Sequence, residues 1–187
     1  AQRIIDEEKT YVAVAKELPL LTKDNWAFII IDSQGKDIDT VATRIARYEK
    51  AKAPIAKGNT IAELARSMGV SEKTLEKTIA DYNAAVKAGK ADQLTPPNTL
   101  EKPRLIEKGP FMAFAFQGGM TATFGGPLIN TEAQVLDTEN HPIDGLFCIG
   151  NAAGGLFYDN YVGGAQLTSA GVFGMTVAEH VKAQKEG

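Results

Sequence analysis

Residues 154–174 read GGLFYDNYVGGAQLTSAGVFG, with six glycines and two tyrosines, Tyr158 and Tyr161, directly after the apolar run GLFCIGN. Taken as a strand over 145–151, a glycine turn and a helix opening near Ala165, the stretch brings backbone N–H groups and the positive end of a helix dipole to one place. Such a place suits an anion or an electron-rich carbonyl, and glycine lets the backbone approach a ligand closely. The same glycines also serve packing and turns, so spacing alone leaves both readings open. The dinucleotide fingerprint, a strand followed by GxGxxG at the start of a helix, occurs nowhere in the chain, which places any main phosphate site elsewhere.

Other reactive side chains are sparse. The two histidines, His141 in a polar turn and His180 near the end of the last helix, have no Cys or His neighbours in sequence at metal-ligand spacing, so no metal site is expected. The single Cys148 lies in an apolar run and reads as a small hydrophobe. With 44% hydrophobic and 23% charged residues the chain has the composition of a globular protein with a core. A net charge of -3 without a basic run gives no footprint for nucleic acid, which favours a small-molecule partner. No apolar run approaches the roughly 20 residues of a membrane span, and AQRIIDEEKT lacks the features of a signal peptide. The compartment stays open. The absence of an initiating Met and the opening RIID, read as the end of a strand, suggest a fragment.

The elements that must position the glycine stretch follow from periodicity. Val12, Ala15 and Leu18 share a helical face that Pro19 is expected to close, and WAFIIID, 26–32, reads as a buried strand. From Asp37, a helix sets Ile38, Val41, Ile45 and Tyr48 on one side. Thr60 and Glu63 have capping-box spacing before LARSM, with Gly69 as the stop. Ser71 then caps a helix whose stripe is Leu75, Ile79, Tyr82 and Val86, ending at Gly89. The polar, proline-bearing segment 90–110 is a loop or covering arm, FMAFAFQGG and 125–151 read as strands joined by tight turns, and an amphipathic helix spans about 166–182. The result is an α/β fold, α+β within this span. Segments 1–32 and 111–187 form a sheet domain, and a mainly helical 33–110 is inserted as a lid.

On these residues the chain resembles the fumarate reductase, succinate dehydrogenase flavoprotein and 3-ketosteroid dehydrogenase superfamily. NTEAQVLDTENHPIDGLFCIGNAAGGLFYDNYVGGAQLTSAGVFGMTVAEHV resembles its carboxy-terminal FAD-binding segment, with a Pro-Ile-x-Gly-Leu turn, an apolar strand ending in Gly-Asn, a glycine loop and a helix. RIIDEEKTY resembles the family's Arg-Phe-x-Asn-Glu stretch, AFIIID its following strand, and NTIAELARSMGVSEKTLEKTIADYNAAVKAGKAD its pair of helices before Gly-x-Asp. The resemblance implies FAD as cofactor and the carboxy-terminal part of a Rossmann-like FAD-binding domain. The amino-terminal half, which carries the pyrophosphate fingerprint, is absent from this span and would be a partner of it. It further implies that Gly163, Gly164 and Ala165 meet the isoalloxazine ring, with Gln166 and Leu167 opening the helix aimed at its pyrimidine edge. Gly150 and Asn151 would sit at the ribityl or ribose hydroxyls, and Phe124, Gly125 and Gly126 on the substrate side.

Departures from the family pattern narrow the chemistry. Members that reduce fumarate bind carboxylates with two arginines and a histidine; the matching positions here are Tyr11, Tyr161 and Ala122. A neutral phenol lacks the cationic fork that clamps a carboxylate. Tyrosine at both positions resembles the 3-ketosteroid dehydrogenase branch, although YVGG lacks that branch's proline. By that resemblance Tyr161 hydrogen-bonds a substrate carbonyl, with the Ala165 N–H as a second donor, and Tyr11 exchanges a proton beside the carbon that exchanges hydride. Tyr158, three residues away, competes with Tyr161 for the role, while Tyr48 and Tyr82 lie on core stripes. The expected activity is an FAD-dependent exchange of hydride with a carbon-carbon bond next to a carbonyl, the span by itself being inactive. Two alternatives stay open: a fumarate reductase-like enzyme with clamps from elsewhere or from Arg44, Arg47 or Arg104, and a non-catalytic binding module.

Overall fold

The structure is a computed structural model describing residues 1–186 apart from Lys36, Asp37, Thr121, Asp159 and Tyr161; the side chains of Lys185 and Glu186 also lie outside the description. The chain divides into two compact units, Ala1–Gly119 and Met120–Gly187. It is a mixed helix and sheet fold.

Unit 1 is organised by a three-stranded sheet. Its central strand β3 (Phe111–Gln117) runs antiparallel to both β1 (Trp26–Ile31) and β2 (Ile55–Gly58). Trp26 faces Gln117 and Ile31 faces Met112, while Ile55 faces Phe114 and Gly58 faces Phe111. The β-branched run WAFIII and the aromatic run FMAFAFQ favour such a half-covered pleat. β2 carries only IAKG after Pro54, too short to show a period, and pairing with β3 recruits it.

Three helices follow β1: α2 (Asp39–Lys50), α3 (Ile61–Met68) and α4 (Glu72–Lys87). The expected stripe of α2 appears as half-burial of Ile38, Val41, Ile45 and Tyr48; Asp37, its expected first residue, lies outside the described residues. The Tyr48 hydroxyl donates to the Ala115 carbonyl at 2.8 Å, and its ring meets Phe114 edge-on at 5.2 Å. Thr60 caps α3 by accepting the Glu63 N–H at 3.1 Å, and Glu63 reaches back to the Asn59 N–H at 2.7 Å. Gly69, at φ 70°, ends it. Leu64, Ala65, Leu75, Ile79, Phe111 and Ala113 form one buried cluster, so α3 and α4 cover the sheet.

The two ends of the 33–110 segment meet beside the end of β1. Asp32, 4% exposed, accepts the Gln34 and Gly35 N–H groups at 3.0 Å on one oxygen. Its other oxygen accepts the Glu107 and Lys108 N–H groups at 3.4 and 3.3 Å. The Ser33 N–H donates to the Lys108 carbonyl at 2.9 Å, so the base of the 33–110 segment is stapled.

The amino-terminal strand expected at RIID is not formed; the residues are irregular and lead into helix α1 (Tyr11–Leu21). The structure here takes its order from side chains. Arg3 pairs with Glu7 at 2.6 Å, donates to the carbonyls of Pro96 and Pro97, and lies over the Tyr82 ring at 5.5 Å. α1 also runs through Pro19 instead of stopping before it. Proline there removes the N–H that would reach the Ala15 carbonyl. Leu18 is fully buried, and its carbonyl accepts both the Thr22 N–H and hydroxyl at 2.9 Å.

Unit 2 holds a hairpin of β4 (Gln134–Leu136) and β5 (Pro142–Phe147), then α5 (Ala165–Glu186). Asp137 accepts the Glu139 and His141 N–H groups at 2.8 and 2.9 Å, and Asn140 takes φ 66°, which shapes the turn. The strand expected at 145–151 instead ends at Phe147. Gly150 at φ 65° breaks the extension, and Gly150–Ala152 is a 3-10 turn. Cys148 is half-buried, not in a buried strand. One face of α5, including Ala170, Phe173, Val177 and Val181, is half-buried, while Leu167, Val172 and Met175 are exposed.

Asp6, 7% exposed, links acidity to the stability of unit 1. Burial opposes its charge, but the Thr99 hydroxyl and N–H, the Glu8 N–H and the Arg3 charge outweigh it and hold the carboxyl below its ordinary pKa. The unfolded chain therefore binds this proton first on acidification. The stabilisation is complete above the unfolded-state pKa and is lost as pH falls through the lower folded value. In urea unfolding followed from pH 6 to pH 2, Asp6→Asn is expected to flatten part of the acid loss of stability; an unchanged acid slope would contradict this.

Candidate functional site

Of the expected site residues of unit 2, Gly163, Gly164, Ala165, Gln166 and Leu167 lie at the start of α5. The Ala165 N–H donates to the Val162 carbonyl and the Thr168 N–H to the Gly164 carbonyl, both at 3.0 Å. The helix thus opens at Ala165, as expected, and runs to Glu186, beyond the expected end near 182. Gly164 has φ 88°, a conformation that side chains strain. A Cβ added at Gly163 or Gly164 would meet no atom of the described residues within 4 Å. Open space therefore faces the loop, and the first-turn amides of Gln166 and Leu167 have no acceptor inside the helix. Leu167 is 81% exposed and Val162 78%.

The glycines of this stretch have two separate duties. Gly154 is buried and its N–H donates to Pro127 O at 2.9 Å; a Cβ there would lie 2.3 Å from the Gly126 carbonyl oxygen. A Cβ at Gly126 would lie 1.9 Å from the Ala152 oxygen. Here two backbones touch, so Gly126 and Gly154 serve the crossing. Gly125 faces open space, and the Phe124 ring lies 6.2 Å from that of Phe157.

Thr123, which the sequence gave no reason to single out, joins the pieces. Its hydroxyl donates to the Asn151 carbonyl, and its own carbonyl accepts Gln166 Nε2 at 3.4 Å. The 3-10 turn with Gly150 and Asn151 also approaches α5, with Gly150 3.9 Å from the Ala170 methyl by an added Cβ. Tyr158 is 95% exposed, and Tyr161 lies outside the described residues. Tyr11 stands in unit 1 as the first residue of α1, 62% exposed, after the Thr10 cap. A cleft of about 530 Å³ in unit 1, lined by Trp26, Tyr48, Ala115, Phe116 and Gln117, brings no pair of reactive groups together. Among the described residues no group of three or more His, Cys, Asp or Glu could hold a metal ion. No helix among them is long and apolar enough to cross a membrane.

The donor set and the open space at Gly163 and Gly164 fit one edge of a flat, electron-rich ring system, and comparison with known proteins gives that fit a family. Residues 8–167 match the family described as FAD binding domain. The chain belongs to this family, and its cofactor is FAD. It is 33% identical over 166 residues to a probable fumarate reductase of Shewanella frigidimarina, covering 89% of this chain and 27% of that protein. The open conformation of a flavocytochrome c3 fumarate reductase superposes with TM-score 0.73 and 32% identity, over 95% of this chain and 30% of that one. The 3-ketosteroid delta1-dehydrogenase from Sterolibacterium denitrificans, in complex with 1,4-androstadiene-3,17-dione, gives TM-score 0.73 and 25% identity, over 98% and 37%. The chain thus spans about a quarter to just over a third of the length of these relatives.

The two duties of glycine separate by substitution. Gly126→Ala is expected to lower the stability of unit 2 by about 1–3 kcal/mol through overpacking. Gly125→Ala, facing open space, is expected to cost less than about 0.5 kcal/mol. Thermal unfolding of the two variants checks this, and equal losses would contradict the backbone crossing.

Proposed function

We propose that the protein is an FAD-dependent oxidoreductase that adds or removes hydrogen across a carbon-carbon bond next to a carbonyl. The observation that carries this is the open glycine edge at Gly163 and Gly164 followed by the amino terminus of α5, in a chain of the FAD-binding domain family. When bound, FAD supplies the hydride exchange. Gly163, Gly164, Gln166 and Leu167 would hold its ring edge, with Gly150 and Asn151 beside its hydroxyl-bearing chain. The amides of the first helical turn favour negative charge at that edge, an effect of about 0.3–2 kcal/mol by general dipole magnitudes.

On the substrate side, Phe124 and Gly125 would border the reacting carbons, with Gly126 holding the loop in place. Tyr161 would donate its phenol hydrogen to the substrate carbonyl. The Ala165 N–H donates to Val162 O, so in this reading Tyr161 is left as the donor to that carbonyl. Tyr11 would exchange a proton with the neighbouring carbon through its hydroxyl oxygen, completing the hydrogen transfer. The 33–110 segment would act as a lid that excludes water.

A second reading, reduction of an unsaturated carboxylic acid, is favoured by the 33% identity to a probable fumarate reductase. It requires cationic clamps that Tyr11, Tyr161 and Ala122 do not provide. Assays of the complete gene product with a reduced dye and matched enones and enoates separate the two readings. Turnover of enones is expected; turnover of diacids alone would overturn the tyrosine reading. Within it, Tyr161→Phe is expected to lower kcat roughly 100-fold or more, as for loss of an oxyanion donor, at unchanged FAD content. Wild-type turnover in that variant would reduce Tyr161 to a packing residue.

A further inference from the structure

A buried carboxylate outside the glycine loop controls how α1 begins. Asp6 Oδ1 accepts the Glu8 N–H at 3.1 Å and the Thr99 N–H at 3.0 Å, and Oδ2 accepts the Thr99 hydroxyl at 2.7 Å. Its backbone carbonyl accepts the Lys9 N–H at 3.2 Å, which turns the chain directly before the Thr10 cap. Thr10 then accepts the Ala13 N–H on its hydroxyl at 3.3 Å and the Val14 N–H on its carbonyl at 2.9 Å. Tyr11 is the next residue. Hydrogen bonds on either side of the Lys9–Thr10 peptide bond therefore link Thr99, in the arm that returns from α4, to the first turn of α1.

The two ends of α1 are held by different means. At its far end Leu18 is fully buried, and Gly118 passes so close that an added Cβ would lie 3.1 Å from the Ala15 oxygen. At its near end the burial is that of Asp6. Thr99 is itself fixed, because the adjoining Asn98, 2% exposed, donates from its amide to the Tyr82 hydroxyl at 3.2 Å and from its backbone to Ala91 O at 2.9 Å. Tyr82 in turn donates to the Arg104 carbonyl at 2.9 Å. The anchor to which Asp6 fastens is thus part of the α4 framework.

We propose that Asp6 is a positioning residue for Tyr11: by fastening the turn before α1 to Thr99, its carboxylate sets the direction in which the helix presents the Tyr11 phenol. This rests on the reading of Tyr11 as the proton-exchanging residue. Asparagine retains the geometry, since its Oδ1 accepts the same two N–H groups and its amide N–H donates to the Thr99 hydroxyl oxygen. Alanine leaves the Thr99 N–H and hydroxyl buried without an acceptor.

The test uses the FAD-loaded complete gene product with Asp6→Ala, Asp6→Asn, Tyr11→Phe and the double variant Asp6→Ala/Tyr11→Phe. Asp6→Ala is expected to lower kcat about 10- to 100-fold, the scale of a misplaced reacting group, with KM within about threefold. Asp6→Asn is expected to restore kcat to within about threefold, and the double variant to be no slower than Tyr11→Phe, since both act through one group. Hydrogen exchange adds a readout independent of turnover: the Ala13 and Val14 amides, which bond to Thr10, should lose protection in Asp6→Ala and keep it in Asp6→Asn, while those around Leu18 stay protected in both. If Asp6→Ala does not fold, Thr99→Val, which removes only the hydroxyl donor, takes its place in the same cycle with a smaller loss in the same direction. Wild-type kcat in Asp6→Ala beside an impaired Tyr11→Phe would overturn the positioning role alone. Additive losses in the double variant would do the same, and an unimpaired Tyr11→Phe would overturn the reading of Tyr11 and this role with it.

Discussion

Antiparallel pairing of β1 with β3 is the contact on which unit 1 depends. It joins residues 26–31 to 112–117 across a long intervening segment. Closing so long an excursion costs conformational entropy, but the cost rises only slowly with length. The excursion returns more than it loses, because Leu64, Leu75 and Ile79 bury themselves on the strands whose pairing it separates. Asp32 and the Ser33 to Lys108 hydrogen bond lock the crossing point. Everything before β1 inherits this frame: Gly118, at the end of β3, receives α1, and the arm that returns from α4 carries Thr99 to Asp6. Asp6, in the turn before α1, and Thr99, 93 residues downstream, are thereby joined.

Unit 2 is built on a different principle. Its buried side chains are small, Ala133, Val135 and Ala153, and its cohesion comes from backbone meeting backbone at Gly126 and Gly154. That close contact frees other glycines from structural duty. Gly163 and Gly164 face open space at the end of a helix, where a side chain would stand between backbone and ligand. The glycine richness of 154–174 thus divides in two: Gly154 lets the chain cross itself, and Gly163 and Gly164 are the residues proposed to meet the cofactor.

Helices with strong local signals were legible in the sequence. Thr60 with Glu63, Ser71, Gly69 and the Leu75, Ile79, Tyr82 stripe act where the pattern places them, because caps and stripes are local interactions. β1 and β3 were legible from β-branched and aromatic runs. β2 was not, since four residues with no period become a strand only when β3 offers a free edge. RIID looked like a strand, but its isoleucines are only half-buried and order there comes from Arg3 and Asp6 reaching residues 96–99, contacts no local pattern encodes. The candidate site was legible as a class, glycines before a helix, yet which glycine serves which duty depended on Gly126, far from the stretch itself. Thr123 gave no signal because its role is to join loops through backbone oxygens.

The account turns on the flavin ring meeting the backbone at Gly163. That position has no left-handed requirement, and an added Cβ there meets no atom of the described residues within 4 Å, so a side chain is expected to leave this span's fold unchanged and to intrude on what the loop holds. The most direct measurement is the FAD content and visible absorption spectrum of the complete gene product carrying Gly163→Leu, beside its thermal unfolding as apoprotein. The account predicts unchanged unfolding with FAD lost or its spectrum displaced. Full FAD content with an unaltered spectrum would contradict it.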